Sequence, residues 1–214
     1  MQTQISRFTE RCVWLAKRVA DETDEPAAPE GGGGFADYAM IPLHCLRMYL
    51  DTSYRMTIDL LTEMPRICRE IGLEPADLPH YSTLCLAFER LEMKVCRVLL
   101  CYSAQLHDTG DIAAIDAAYF DRSRASRHYS RRTNYRVQTL EATNYDYAHN
   151  ARIDDDLYGQ RSMAETVFSS GKRSLGCALR ARTWYREFRE VALMCAVHNI
   201  KKAAKQGIPL PSYD

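Results

Sequence analysis

A chain of 214 residues with 28 Lys and Arg against 28 Asp and Glu carries no net charge, so no global field draws it to nucleic acid and any such attraction is local. That length buries one sizeable core, or one core plus a small helical domain. No stretch approaches the roughly 18 apolar residues of a membrane span, and the acid-containing start MQTQISRFTERCVW does not read as a secretory signal.

The eight cysteines (Cys12, Cys45, Cys68, Cys85, Cys96, Cys101, Cys177 and Cys195) include no C-x-x-C pair, and most sit on apolar helical stripes. They read as reduced core residues of a cytoplasmic protein rather than as a zinc or disulfide framework.

In chain order, Ile5, Phe8, Cys12, Leu15 and Val19 recur at helical spacing and predict an amphipathic helix over 3–20. The acidic, Pro- and Gly-rich DETDEPAAPEGGGG after it reads as a linker that cannot pack. Helical pattern resumes at about Leu43, and a second segment starts at Ser53 with Tyr54, Ile58 and Leu61. Pro65 opens a short helix that Gly72 ends. DLPHYST is a turn with Ser82 placed as an N-cap. From there Leu84, Phe88, Leu91, Val95, Val98 and Leu99 run down one side of a single long helix. Residues 42–107 thus read as a helical domain of a shape compatible with DNA binding, following an N-terminal helix and linker at 1–41.

After the turn at His107–Asp111 comes IAAIDAAYF, an apolar run of strand length with Asp116 in its middle. On strand alternation Asp116 shares a face with Ile112, Ala114, Ala118 and Phe120. A carboxylate there is costly to desolvate unless a cation meets it, a divalent metal being the usual answer; a hydrogen bond to a loop is the plainer one. Next, Arg122, Arg124, Arg127, Arg131, Arg132 and Arg136 fall close together with His128, Tyr129 and Tyr135 between them and no acid. Guanidinium groups grip phosphates bidentately, so the block is a candidate phosphate contact, or else a solvated loop. YRVQTLEA alternates well enough to pair with the first strand as a hairpin.

The stretch YGQRSMAETVFSSGK, 158–172, organises the remainder. On a helix, Tyr158, Arg161, Glu165 and Lys172 share a wedge of about 60°, with Met163 and Val167 on the far side for a core. Such a face can simply meet water with an Arg161–Glu165 pair. Beyond it, Leu175, Ala178, Leu179, Trp184, Phe188, Val191 and Met194 follow helical spacing beside Lys172, Arg173, Arg180, Arg182, Arg186 and Arg189. That tail reads either as a DNA-contacting helix pair or as a packed helix with a cationic rim. GIPLPSYD, 207–214, is a terminal tail.

Tyr, two residues, Arg, three residues, Glu, six residues, Lys resembles the Y-(2)-R-(3)-E-(6)-K motif of DDE transposases from prokaryotic insertion sequences of the insertion-sequence-five type, and the basic, aromatic-rich tail ending in Asn199–Ile200 resembles theirs. The resemblance runs from about Pro42 onward. It implies an α+β, predominantly helical protein, with a helical domain followed at 108–206 by a ribonuclease-H-like catalytic core. It also implies Asp116 and Glu165 as ligands of Mg²⁺ or Mn²⁺, and insertion-sequence terminal-repeat DNA held by Tyr158, Arg161, Lys172 and the arginine block. Such enzymes cut and transfer DNA strands with three carboxylates on two cations. Here LEATNYDYAHNARIDDDLYG passes almost directly to the Tyr158 helix, with no apolar strand ending in a second Asp. Asp146 lacks a strand, and Asp154, Asp155 and Asp156 read as helix-start acids. The expected core is therefore incomplete and the expected protein a degenerate, inactive transposase copy. The alternatives are a non-catalytic DNA-binding inhibitor that pairs with the intact enzyme or with itself, and a product that folds poorly.

Overall fold

The computed structural model describes residues 2–20, 26–29, 34–107, 121–122, 166, 169–171, 173–175, 178–181 and 183–210. The chain divides into two compact units, one of Met1–Thr109 with Thr183–Asp214 and one of Gly110–Arg182. Among the described residues the protein is predominantly helical, and no helix is long and apolar enough to cross a membrane.

In the first unit, α1 (Gln4–Ala20) buries Phe8, Cys12, Leu15 and Ala16 on one face and carries Lys17 and Arg18 in its last turn, where cations suit the helix dipole. The sequence reading of this helix agrees to within a residue. The linker reading does not hold for Ala27, which is buried, accepts a backbone bond from Ala36 N at 3.3 Å and packs beside Gly72. A small side chain there needs no large apolar surface to find a place.

Helix α2 (Asp37–Tyr49) starts six residues before the expected Leu43 and carries Pro42 inside it. A proline in a helix interior costs about 3 kcal/mol by removing a backbone bond and crowding the previous turn. What offsets it is burial: every residue from Tyr38 to Met48 is buried, as befits a helix packed by α1 and by the elements that follow.

Helix α3 (Tyr54–Thr62) begins as the sequence predicts, with Ser53 Oγ accepting from Met56 N at 3.3 Å. Helix α4 (Pro65–Ile71) has Pro65 at its first position and ends at Gly72, whose φ of 92° is left-handed. Leu73 N then bonds to Cys68 O at 3.0 Å and Gly72 N to Arg69 O at 3.1 Å, satisfying carbonyls that the helix end leaves open.

The single long helix expected from Ser82 is two. Helix α5 (Tyr81–Arg90) starts one residue earlier than Ser82, and its N-cap is His80, whose Nδ1 lies 3.4 Å from Ser82 N and 2.7 Å from Ser82 Oγ. Helix α6 (Met93–Ala104) follows after Leu91 and Glu92, both extended. The break has a tertiary cause. Arg189, from helix α7 (Trp184–Gln206), shares one guanidinium nitrogen among the carbonyls of Phe88 at 3.1 Å, Glu89 at 2.9 Å and Leu91 at 2.6 Å. A buried cation at a helix C-terminus takes up the carbonyls that the interruption frees.

Helix α7 belongs to this unit, although the sequence reading grouped it with the catalytic region 108–206. Its buried stripe of Arg189, Leu193, Ala196, Ile200 and Ala203 packs chiefly on α6, with α1 and α2 beside it. Arg189 meets the start of α6, while Asn199 Nδ2 donates to Ser103 Oγ at 3.2 Å near its end, so α6 and α7 run parallel. Gly207 ends α7 at φ 68°, and Arg11 of α1 donates to the carbonyl of Ile208.

In the second unit, residues 166, 169–171 and 173–175 are helical, as expected for the later part of the Tyr158 stretch. The strands β1 (Asp121–Arg122) and β2 (Ala178–Leu179) pair in parallel, Asp121 opposite Ala178 and Arg122 opposite Leu179. The hairpin expected over 112–142 lies outside the described residues apart from Asp121–Arg122.

Replacing Arg189 by Ala strips three carbonyls of their donor and should lower unfolding free energy by about 3 kcal/mol in urea titrations, with Arg189→Lys recovering part of it. A loss within about 0.5 kcal/mol would contradict the capping role.

Candidate functional site

Asp116, Arg124, Arg127, Arg131, Arg132, Tyr158, Arg161, Glu165 and Lys172 lie outside the described residues, and of Arg122 the backbone alone is described, in β1. Among the described residues no group of three or more His, Cys, Asp or Glu is placed to hold a metal ion. The chemistry that can be built upward from geometry is in the helical unit, where two features stand out.

The first is a buried polar cluster at the meeting of α2, α5 and α7. Arg47 and Glu190 pair at 3.2 Å with their side chains 6% and 5% exposed, which leaves water no screening role. The Arg47 guanidinium also sits over the Tyr54 ring at 4.8 Å. One turn back, His44 is 2% exposed and packs between Phe88, at 5.3 Å, and Tyr54, at 5.9 Å edge-on. Burial, and then the neighbouring Arg47 charge, push the His44 pKa down to about 3. The ring is neutral throughout the physiological range. Arg189 completes the cluster on α7, and Arg186 reaches Glu89 at 2.8 Å nearer the surface. Glu190 answers one cation and backbone carbonyls answer the other, so the cluster fastens helices together and offers no mobile proton.

The second feature is a pocket of about 720 Å³ between the end of α1, the start of α2 and the facing sides of α5 and α6. Met40, Ile41 and His44 form its buried floor, and Val95 and Val98 stand half-buried in its wall. His44 Nδ1 has no hydrogen-bond partner.

Four of the described cysteines bear out a core reading, whereas Cys101 is exposed. Cys12, Cys45, Cys68 and Cys96 are buried and free, and Cys85, Cys101 and Cys195 are free and less buried. Burial pushes the Cys12 and Cys195 thiols up and that of Cys96 up to about 11, the opposite of what a nucleophilic or metal-binding thiol needs. Within the cationic tail Arg189 is buried and Arg186 is paired, Arg173 and Arg180 are exposed, and Lys172 and Arg182 lie outside the described residues.

The polar cluster is absent from the sequence reading of candidate residues, yet it left a trace. Arg189 heads the spacing Arg189–Leu193–Ala196–Ile200 on the buried stripe of α7, where an apolar residue would be expected. A charge at such a position needs a partner.

The comparisons with known proteins add no relative: no protein-family model matches the chain, and no curated protein and no solved structure matches it.

His44 has a folded pKa below its unfolded value, so its contribution to stability is present above pH 6.5 and lost as pH falls from there toward 3. His198, depressed by burial and by Lys202, Lys201 and His107, adds loss of the same sign. Between pH 7 and pH 5 the His44 share is about 2 kcal/mol. In His44→Phe, which keeps a ring between Phe88 and Tyr54, urea titrations at the two pH values should show that much less acid loss. An unchanged pH dependence would contradict the assignment.

Proposed function

We propose that this protein is a degenerate DDE transposase of the insertion-sequence-five type that binds DNA without cutting it. The observation that carries the reading is the spacing of Tyr158, Arg161, Glu165 and Lys172, with Asp116 upstream on an apolar run. Parallel pairing of Asp121–Arg122 with Ala178–Leu179 supports it, since it joins the stretch just after Asp116 to the stretch just after Lys172. On this reading the region between those strands derives from a ribonuclease-H-like core.

Catalysis is the part that the sequence withholds. Hard divalent cations take oxygen donors, and Asp116 and Glu165 are of the right type. Two carboxylates fall short of the three that the family uses on two cations, and small errors of placement in such sites are expensive. No cleavage step follows from these residues.

DNA binding needs less. Arg122, Arg124, Arg127, Arg131, Arg132 and Arg136 form a dense basic block in a chain of zero net charge, and each phosphate neutralised releases counterions. Tyr158, Arg161 and Lys172 would add contacts to transposon-end DNA. A protein that occupies terminal repeats unproductively, or that pairs with an intact transposase, inhibits transposition.

Two assays test the two halves. Supercoiled-plasmid cleavage with Mn²⁺ should be absent; cleavage abolished by both Asp116→Ala and Glu165→Ala would overturn the claim of inactivity. A gel shift on terminal-repeat DNA should weaken steeply with salt, and Arg127→Ala with Arg131→Ala should reduce the log–log salt slope by about 2. Binding indifferent to salt and to both substitutions would remove the arginine block from the account.

A further inference from the structure

The outer face of α7 is cationic along its C-terminal part. Between Glu190 and Asp214 the sequence holds no acid, and within that span come His198, Lys201, Lys202 and Lys205. At 100° per residue His198, Lys202 and Lys205 fall within a wedge of about 60°, opposite the buried Ala196, Ile200 and Ala203. Lys202 and Lys205 are exposed and His198 is half-buried. Lys201, on the flank, lies over the Tyr49 ring at 5.0 Å.

Two plainer roles leave part of this face unexplained. Cations in a last turn suit the helix dipole, and Lys205 stands there, but the effect dies out within that turn, and Lys202 and His198 precede it. A charged face that only meets water is steadied by opposite signs at i,i+3 and i,i+4, whereas Lys202 and Lys205 are like charges at i,i+3 and repel. The described groups whose charge His198 feels have the same sign: burial first, and then Lys202, Lys201 and His107, hold its pKa below the ordinary value. A face assembled from repelling groups gains from a partner that brings negative charge in a row.

A nucleic-acid backbone is such a row. From His198 to Lys205 the face runs about 10 Å along the helix axis, roughly three nucleotide steps at about 3.4 Å each. We propose that the outer face of α7 around His198, Lys202 and Lys205 lies along the backbone of duplex DNA, as a phosphate-contacting surface of the helical unit additional to the Arg122–Arg136 block. The inference rests on the DNA-binding reading above and extends it to the helical unit. Contacts of this kind position a duplex without reading its bases.

Fluorescence anisotropy of the full chain with a labelled duplex of arbitrary sequence, followed across a range of salt concentrations, tests it. Lys202→Ala with Lys205→Ala should lower the log–log salt slope by about 2, and Lys202→Arg with Lys205→Arg should leave it unchanged. Lys94→Ala with Arg97→Ala removes two charges from exposed positions of α6 and should leave the slope as in the unaltered chain. All these side chains are exposed, so circular dichroism should not change. A slope that Lys202→Ala with Lys205→Ala leaves alone, or lowers no more than the α6 pair does, would overturn the proposal. If Arg127→Ala with Arg131→Ala then still lowers the slope, the DNA-binding reading stands without this face; absence of duplex binding by the unaltered chain would remove both. Binding to vesicles of anionic phospholipid that Lys202→Ala with Lys205→Ala abolishes, with duplex affinity unaltered, would assign the face to a lipid surface and overturn it as well.

Discussion

Two buried cations govern how the helical unit is put together. Arg189 cannot remain charged in a core without acceptors, and the nearest it finds are the carbonyls of Phe88, Glu89 and Leu91. Arg47 has the same need and meets Glu190, the residue next to Arg189. Both requirements fall within the first two turns of α7, so this end of the helix can dock in one register. Further along, Asn199 on Ser103 and Arg11 on Ile208 keep that register to the end of the helix. Apolar packing of Leu193, Ala196, Val197 and Ile200 supplies most of the gross stabilisation, and the polar contacts select which arrangement receives it.

That arrangement bears on function by subtraction. In the sequence, Arg186 and Arg189 belong to a basic, aromatic tail with the look of a DNA contact. In the structure the Arg189 guanidinium is buried at the end of a helix and is closed to a phosphate without breaking the unit, whereas Arg186 makes a half-exposed pair with Glu89. The DNA-binding proposal therefore rests on Arg122–Arg136 and on the Tyr158 face, and not on Arg189. Burial lowers the His44 pKa and raises that of Cys96, so both groups stay uncharged in the core.

Local signals were read well and distant ones were not. A helix opening just after Ser53, Pro65 at a helix start and Gly72 at its end each follow from local stereochemistry and are where the sequence placed them, whereas the cap expected at Ser82 is His80. The break at Leu91–Glu92 escaped because its cause lies far along the chain, in Arg189; the apolar stripe runs through Leu91 without interruption. The start of α2 at Asp37 rather than near Leu43 has a tertiary cause as well, since burial of the helix offsets the Pro42 inside it. The grouping of α7 with the helices of the N-terminal half was invisible for the same reason as the break. Of the candidate site, the motif residues remain a matter of spacing, whereas Arg189 and its neighbour Glu190 could have been found by asking which charges fall on apolar stripes.

The account's central claim is that 183–206 completes the helical unit and that 110–182 is an insertion into it. Because α6 and α7 run parallel, a replacement for the insertion must return along α6, about 18 Å. A flexible Gly/Ser linker of roughly 15 residues spans that distance. The decisive measurement is the thermal unfolding, by circular dichroism, of a chain carrying this linker in place of 110–182. The account predicts one cooperative transition from a highly helical state, destabilised by Arg189→Ala. A non-cooperative melt, or helicity that Arg189→Ala leaves untouched, would contradict it.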